Sequence, residues 1–234
     1  MKFLFLVLML SSIAFGEERV ARFYEIGGST DGKPLFVQKI RRTVNTSGQM
    51  QADSTMEDAS GKVVMTETAV MSGGNIVSQR MDQLQIGESY ELQVQNGKAT
   101  FRTFKIKNNT REKVSENTVS AGASFVTGPP IEFYLKGKLK KDGDVAEVEF
   151  GVFELEKSFD FKFKQLGPNK AGNGVRVQLK PAGFFTSLFV SEIEMEFERD
   201  SFKLLTYTGR TPARRMVDGS WKAFDAYIIY EDVN

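Results

Sequence analysis

Apolar and charged residues alternate along most of this chain, and that alternation limits its fold more than any other feature. In residues 191–199, Ile193, Met195 and Phe197 lie on one side of an extended backbone, while four glutamates lie on the other. The same period of two recurs in residues 90–95, 159–164 and 175–180. On a helix these charges would spread around the circumference, so each segment is predicted to be a strand with one dry and one solvated face.

Short turn signals separate these segments, as antiparallel hairpins require. They are Asp31-Gly32, Ser60-Gly61, Gly73-Gly74, Asn96-Gly97, Asp142-Gly143, Asn173-Gly174 and Asp218-Gly219. Asn96-Gly97 suits a type I′ turn, because both of its central positions need a positive φ. We expect roughly ten to twelve strands on this basis. Residues 36–46 and 74–84 carry charges on both faces, so they are predicted either to be edge strands or to have been assigned the wrong phase.

Two stretches interrupt the alternation. The apolar phase changes near Gly151 with no turn residue between, which predicts a bulge or bend that curves the sheet. Residues 129–141 begin with a proline pair and end in lysines, which favours a short helix, although their apolar residues also alternate as in a strand. The chain is therefore predicted to be mainly β, with a single curved antiparallel sheet (an open or closed β-barrel) and one or two short helices.

Residues 1–16 have the layout of a cleavable secretory signal. Lys2 precedes an apolar run, and Ala14-Phe15-Gly16 forms a small-x-small tripeptide before an acidic pair. The apolar run is about half the length of the ~20 residues that a membrane-spanning helix needs. We therefore expect cleavage near Gly16, a single domain at 17–234, a periplasmic or secreted location, and no membrane span after cleavage.

The chain contains no cysteine and no histidine, and its formal net charge is +1. It can form no disulfide, no thiolate nucleophile, no cysteine-ligated metal site and no Ser-His-Asp triad. A near-neutral chain has no overall electrostatic reason to bind nucleic acid. Asp160 and Asp225, beside aromatic segments, are predicted to be the least exposed carboxylates for acid–base work, although solvated positions are the expected outcome. We expect no enzyme activity, no metal and no cofactor.

The aromatic content, with 20 phenylalanines, and one apolar connection favour a binding function. The segment 183–190 is unusually apolar for a connection between strands. Its residues Phe184, Phe185, Leu188 and Phe189 are predicted to cap a ligand cavity inside the curved sheet. The alternative is a solid core with no cavity.

Residues 210–215 contain the one local concentration of positive charge. Arg210, Arg214 and Arg215 are predicted to meet a polar head group through their guanidinium groups. The alternative is a solvated loop, held open by Pro212, between two strands.

The order of the elements resembles that of a known class of protein. An early strand Arg22-Phe23-Tyr24-Glu25, an interruption at Pro129-Pro130 and closing strands around residues 207–210 and 227–230 follow the signal segment. This layout is similar to uncharacterised secreted bacterial β-proteins and to the LolA/LolB-type lipoprotein-carrier half barrels. The resemblance covers most of the mature chain, transfers no residue role, and implies a curved sheet that holds acyl chains.

The leading hypothesis is therefore a non-enzymatic periplasmic protein that binds a hydrophobic or lipid-like ligand. The alternative is a structural or adaptor domain of the cell envelope that contacts another protein through a sheet edge or the arginine-rich segment.

Overall fold

The computed structural model describes residues 16–108, 110–182 and 193–233. They form one sheet of fifteen strands, one short helix and one 3₁₀ turn. The strands are β1 (Gly16–Tyr24), β2 (Phe36–Val44), β3 (Met50–Asp58), β4 (Val63–Ser72), β5 (Asn75–Gln83), β6 (Glu88–Gln95), β7 (Lys98–Lys107), β8 (Thr110–Ser120), β9 (Phe125–Val126), β10 (Val145–Val152), β11 (Lys157–Pro168), β12 (Gly174–Pro181), β13 (Ile193–Glu198), β14 (Leu204–Val217) and β15 (Ser220–Asp232). Helix α1 is Ile131–Lys136, and the 3₁₀ turn is Phe153–Leu155. The predicted fold class, a mainly-β chain with a single curved sheet, is confirmed.

The two halves of the chain build the two halves of the sheet and meet in its middle. Strands β1 to β8 run outward in one direction, and strands β15 to β9 run outward in the other. The join is the antiparallel pair β1–β15, from Arg19 opposite Asp232 to Tyr24 opposite Tyr227. Strands β8 and β9 are the two ends, where the ladder stops within the described residues. The β9–β10 pair is parallel, and the other pairings are antiparallel.

Antiparallel pairing places each connection between neighbouring antiparallel strands at one of two rims. We call the upper rim the one at which β1 ends. The connections β1–β2, β3–β4, β5–β6, β7–β8 and β14–β15 lie there, together with the 3₁₀ turn between β10 and β11. Strand β12 ends and β13 begins at the same rim. The upper rim therefore gathers loops that are far apart in the sequence.

Apolar side chains fill the interior in two clusters. One cluster contains Phe23 and Phe101 from the first half of the sheet, and the other contains Phe163 and Phe197 from the second half. Each of these rings is at most 1% exposed. Such rings dominate core energetics because each removes a large apolar area from water. In the described residues the protein's own side chains occupy the concave side of the sheet.

A buried charge cluster fixes α1 against the sheet. The carboxylate of Glu132 lies 3.0 Å from Arg19 Nη1 and 2.6 Å from Arg42 Nη2. It also accepts the backbone N–H of Leu204 at 2.6 Å. Arg19 is 3% exposed and donates its other Nη to the Leu204 carbonyl at 2.6 Å. Because a buried charge is costly unless it is paired and hydrogen-bonded, these contacts determine where the helix can sit.

The prediction that residues 36–46 and 74–84 are edge strands was wrong. They form β2 and β5, and each has a paired strand on both sides. Their inward faces carry polar as well as apolar side chains, and the polar ones have partners inside the sheet. Arg42 on β2 pairs with Glu132, and Gln79 on β5 donates to Glu67.

The predicted bulge near Gly151 was also wrong. Strands β10 and β11 pair without a register shift up to Val152 opposite Lys157, and the change of phase comes from the 3₁₀ turn that joins them. Gly151 serves packing instead, since a Cβ at this position would lie 2.9 Å from the ring of Phe125. The prediction of a helix within residues 129–141 is confirmed for the six residues of α1.

Candidate functional site

The arginine-rich segment is part of a strand, which corrects the predicted loop. Strand β14 continues through residues 210–215, with a register shift against β15 between Arg210 and Arg214. Pro212 lies within this irregularity, where its missing N–H removes no ladder hydrogen bond. The bulge lets β14 extend to Val217 and carry its last residues to the upper rim.

Hydrogen bonds across the interior tie the bulge to the β5–β6 connection. The Gln83 amide donates to the Pro212 carbonyl at 2.7 Å. The Gln85 amide donates to the Arg214 carbonyl at 2.8 Å and accepts the Arg214 backbone N–H at 2.8 Å. At the bulge, hydrogen bonds from side chains thus take the place of backbone hydrogen bonds between strands, because buried backbone N–H and C=O groups need partners. The Arg214 side chain is held in place as a result.

Arg214 lies at a cleft of about 390 Å³ at the upper rim. The cleft is lined by Glu88, Tyr90, Thr103, Ser115, Glu154, Leu155, Glu156 and Arg214. Arg214 Nη2 lies 3.0 Å from Glu154 Oε1. Its Nε is buried and has no hydrogen-bond partner among the described residues. The lining offers carboxylates, hydroxyls and one guanidinium group to a polar ligand.

Two titratable groups of this cleft, Glu88 and Tyr90, have pKa values that are shifted further from neutral pH. Burial raises the pKa of Glu88, but hydrogen bonds from Lys105 and Tyr90 outweigh it, and the pKa lies below its ordinary value. Burial, together with the hydrogen bond to Glu88, raises the pKa of Tyr90. An acid–base catalyst works best with a pKa near the operating pH. This pair has the character of a structural or ligand-binding contact.

The other two predicted arginines do not join Arg214. Arg210 Nε lies 2.7 Å from Asp225 Oδ1, and Arg215 Nη1 lies 2.6 Å from Glu25 Oε1. Both arginine side chains are half exposed. The three guanidinium groups therefore face three different carboxylates, and of these three only Arg214 lines the cleft.

The carboxylates predicted to be least exposed are not the buried ones. Asp160 is exposed on β11, and Asp225 is partly buried in its pair with Arg210. Glu132 is buried instead. Burial also raises the pKa of Glu67, against opposing hydrogen bonds from Gln79 and Ser54. Sequence reasoning missed Glu132 because its partners come from distant strands, and it missed Glu67 because the partners Gln79 and Ser54 carry no charge.

Phe184, Phe185, Leu188 and Phe189 lie outside the described residues, so their capping role stays a prediction. The described residues on either side of them are Ala182 and Ile193.

Exposed apolar side chains collect at the upper rim around β14. Ile26, Leu84 and Leu155 are each about half exposed, and we call them the apolar rim residues. Each is adjacent in sequence to a residue that contacts β14: Glu25 pairs with Arg215, Gln85 bonds Arg214, and Glu154 pairs with Arg214. Sequence reasoning missed them because single apolar residues in separate loops have no periodicity.

A second cleft, of about 370 Å³, is lined by Ser124, Glu147, Val148, Asp160, Phe161, Lys162 and Ala182. Within residues 16–108, 110–182 and 193–233, no helix has the length and apolar character to cross a membrane. In those same ranges, no group of three or more acidic residues is arranged to hold a metal ion.

Comparisons with known proteins give only distant likenesses. No family model and no curated protein matches the chain. A β-barrel-like protein of a domain of unknown function (DUF1849) from Brucella abortus is 8% identical, with 93% of this chain and 94% of that chain covered and a TM-score of 0.41. A porin-like protein from Bacteroides uniformis is 8% identical, with 93% and 97% covered and a TM-score of 0.28.

These likenesses are too loose to carry a functional conclusion, and the fold description rests on the chain's own strand order. Nothing found links the chain to the LolA/LolB-type carriers. What stands of that resemblance is a curved, β-barrel-like sheet.

Proposed function

We propose that this chain is an exported, non-enzymatic binding protein whose ligand is hydrophobic or lipid-like and is taken at the upper rim. The observation that carries the proposal is that the apolar rim residues lie at the same rim as a cleft of polar groups, with Leu155 in the lining of that cleft. Scattered exposed apolar residues are ordinary on a soluble protein, whereas a cluster at one site favours an apolar partner.

The chemistry of the rim suits an amphiphile. Leu155 belongs to the lining of the cleft, next to the Arg214–Glu154 pair. The ligand's apolar part would lie on the apolar rim residues, and its polar part would contact the Arg214 guanidinium group and the hydroxyl and carboxylate oxygens of the cleft. Specificity in such sites comes from a few placed polar groups within an apolar surround.

The rim position departs from the cavity expected from the sequence. Rings such as Phe101 are fully buried in the interior of the described residues, so the ligand would bind above this core. The shifted pKa values of Glu88 and Tyr90 support binding over acid–base catalysis.

Native mass spectrometry of the protein purified from its host, followed by solvent extraction and lipid analysis, tests the proposal. We expect a bound amphiphile that is lost in Leu155→Ser and in Arg214→Gln. The matched control is Arg210→Gln, which changes an outward-facing pair on the same strand and should keep the ligand. A wild-type protein that carries no lipid and binds none when lipids are added would overturn the proposal.

The second candidate is an adaptor domain, favoured by the sheet end at β8. This strand has eleven residues and, within the described chain, pairs with β7 on one side only. An unpaired edge can accept a strand from another protein, here along the part of β8 outside Ser115 and Asn117, whose side chains contact Glu156. Crosslinking in cells through a photoreactive residue at Val114, which is 58% exposed, should then capture one defined partner. A lack of any discrete product would count against the adaptor role.

A further inference from the structure

The tip of the β14–β15 hairpin exposes a compact set of apolar and basic side chains. Met216, Val217 and Trp221 are 49%, 38% and 41% exposed. The two strands continue to the turn at Asp218-Gly219, where both residues have positive φ, 50° and 74°. This is the two-residue turn that favours a tight hairpin, so the tip has a defined shape.

The cross-strand register sorts these side chains onto two faces. Met216 lies directly opposite Trp221, which places a thioether and an indole together on one face of the ribbon. Arg215 lies directly opposite Lys222 on the other face. One face of the exposed ribbon thus carries the Met216–Trp221 pair, and the other carries the Arg215–Lys222 pair with Val217 next to the turn.

The Arg215–Lys222 pairing is unfavourable for the fold itself. Like charges directly opposite each other in an antiparallel pair are destabilising. Glu25 offsets part of this repulsion through its contact with Arg215. Of the three basic residues in 214–222, Arg214 and Arg215 pair with glutamates, and Lys222 has no carboxylate partner among the described residues, so an anionic partner would complement Lys222 and the half-exposed Arg215.

We propose that this hairpin tip docks the protein onto an anionic phospholipid surface. The indole of Trp221 suits the interface, where an amphipathic ring has one apolar and one hydrated side. Met216 and Val217 would enter the acyl boundary, and Arg215 and Lys222 would contact head-group phosphates. The apolar rim residues at the same rim extend the contact. Docking does not require that the protein carry a ligand, so it goes beyond the proposed function.

Trp221 is the single tryptophan of the chain, so its fluorescence reports directly on the tip. We expect the emission to shift to shorter wavelength when vesicles of equal parts phosphatidylglycerol and phosphatidylcholine are added, and the protein to co-sediment with them. Pure phosphatidylcholine vesicles should give weaker binding. Salt at about 1 M should also weaken binding, since the Debye length falls to about 3 Å.

Variants separate the apolar from the basic side chains of the tip. Met216→Ser with Val217→Ser keeps the fluorophore and should weaken vesicle binding at least about tenfold, because burial of those side chains is lost. Arg215→Gln with Lys222→Gln should weaken binding to anionic vesicles about fivefold for each charge and remove the preference over neutral vesicles. Val44→Ser with Val145→Ser, at equally exposed apolar positions of the opposite rim, should bind as the wild type does.

Three results would overturn the docking proposal. They are an unchanged emission with no co-sedimentation on anionic vesicles, an equal loss in the opposite-rim control, and an emission shift that follows protein concentration without vesicles. The last result would assign the tip to contact between copies of the chain. Because these measurements use added vesicles and no co-purified lipid, they stand apart from the test of ligand binding.

Discussion

Glu132 is the residue on which the position of α1 most depends. It meets Arg19, which is 113 residues away in sequence, and it also meets Arg42. In the sequence it is visible only as an acidic residue in the first turn of a short helix. No local pattern could have paired it with two arginines on separate strands, because that pairing is created by the sheet.

Glu132→Ala should lower the free energy of unfolding by about 3–5 kcal/mol, since it leaves two arginines without their buried carboxylate. Urea denaturation followed by circular dichroism measures the change. The matched control is Glu57→Ala, which breaks the exposed pair with Lys39 and should cost less than about 1 kcal/mol. Equal losses in the two variants would contradict a special role for Glu132.

The raised pKa of Glu67 makes the free energy of unfolding depend on pH in a definite direction. Its pKa is raised by burial above the ordinary 4.5, so the folded state binds a proton that the unfolded state releases. The contribution of this group to the free energy of unfolding is therefore greatest below a pH of about 4, and it decreases as the pH rises through the raised pKa.

Glu67→Gln should stabilise the protein at neutral pH, by about 1.4 kcal/mol for each unit by which the pKa is raised. The new amide can donate to Gln79 Oε1, which is buried without a partner among the described residues. The gain should vanish near pH ~4, where the wild-type carboxyl is already protonated. Denaturation across this pH range measures it. In Glu147→Gln, whose carboxyl has a pKa lowered by Lys162, no gain at neutral pH is expected.

At the scale of single elements, the sequence predicted those strands and turns that are determined by their own residues. Asn96 and Gly97 both have positive φ, 52° and 71°, and the type I′ prediction is confirmed. The fully alternating segment 191–199 contains β13. Strands whose inner faces are polar were assigned to the wrong place in the sheet, because a buried ion pair looks like a solvated charge in a sequence.

Strand β10 contains a glycine, Gly151, because the rings of neighbouring strands lie too close for a larger side chain. Gly151→Ala should cost about 1–3 kcal/mol, because a Cβ would lie 2.9 Å from Phe125 and 3.2 Å from Phe101 in a packed interior. Thermal denaturation measures the loss. Gly137→Ala is the control: its backbone is helical and nothing lies within 4 Å of the added Cβ, so stability should stay the same or rise slightly. A Gly151 variant as stable as this control would rule out the close approach.

At the scale of the whole molecule, one contact joins the first half of the sheet, at β7 and β8, to Glu156, which directly follows the 3₁₀ turn. Side chains make it: Ser115 and Thr103 donate to the Glu156 carboxylate, and the Asn117 amide donates to the Glu156 carbonyl at 2.8 Å. Alternation predicted a curved sheet but could not show this contact. It depends on single polar residues of β8, a strand with no apolar stripe to mark it in the sequence.

Replacing both Ser115 and Asn117 by alanine should release β8 locally. Each lost hydrogen bond is worth about 0.5–1.5 kcal/mol, so amide exchange in β8 should accelerate while exchange in β1 and β15 stays unchanged. Native-state hydrogen exchange measures both. Thr118→Ala, which removes an exposed contact with Thr100 on the other side of β8, is the control. Equal acceleration throughout the sheet would mean that the contact supports the whole fold.

The β1–β15 join has a consequence for the order in which the chain is made. A ribosome releases β1 early and β15 last, yet residues 19 to 24 pair with residues 227 to 232. Until the final strand emerges, β1 keeps an open edge in the middle of the future sheet. Contacts of such long sequence separation form slowly. Each half can begin its own meander during synthesis, and the single sheet is completed only after β15 has been made.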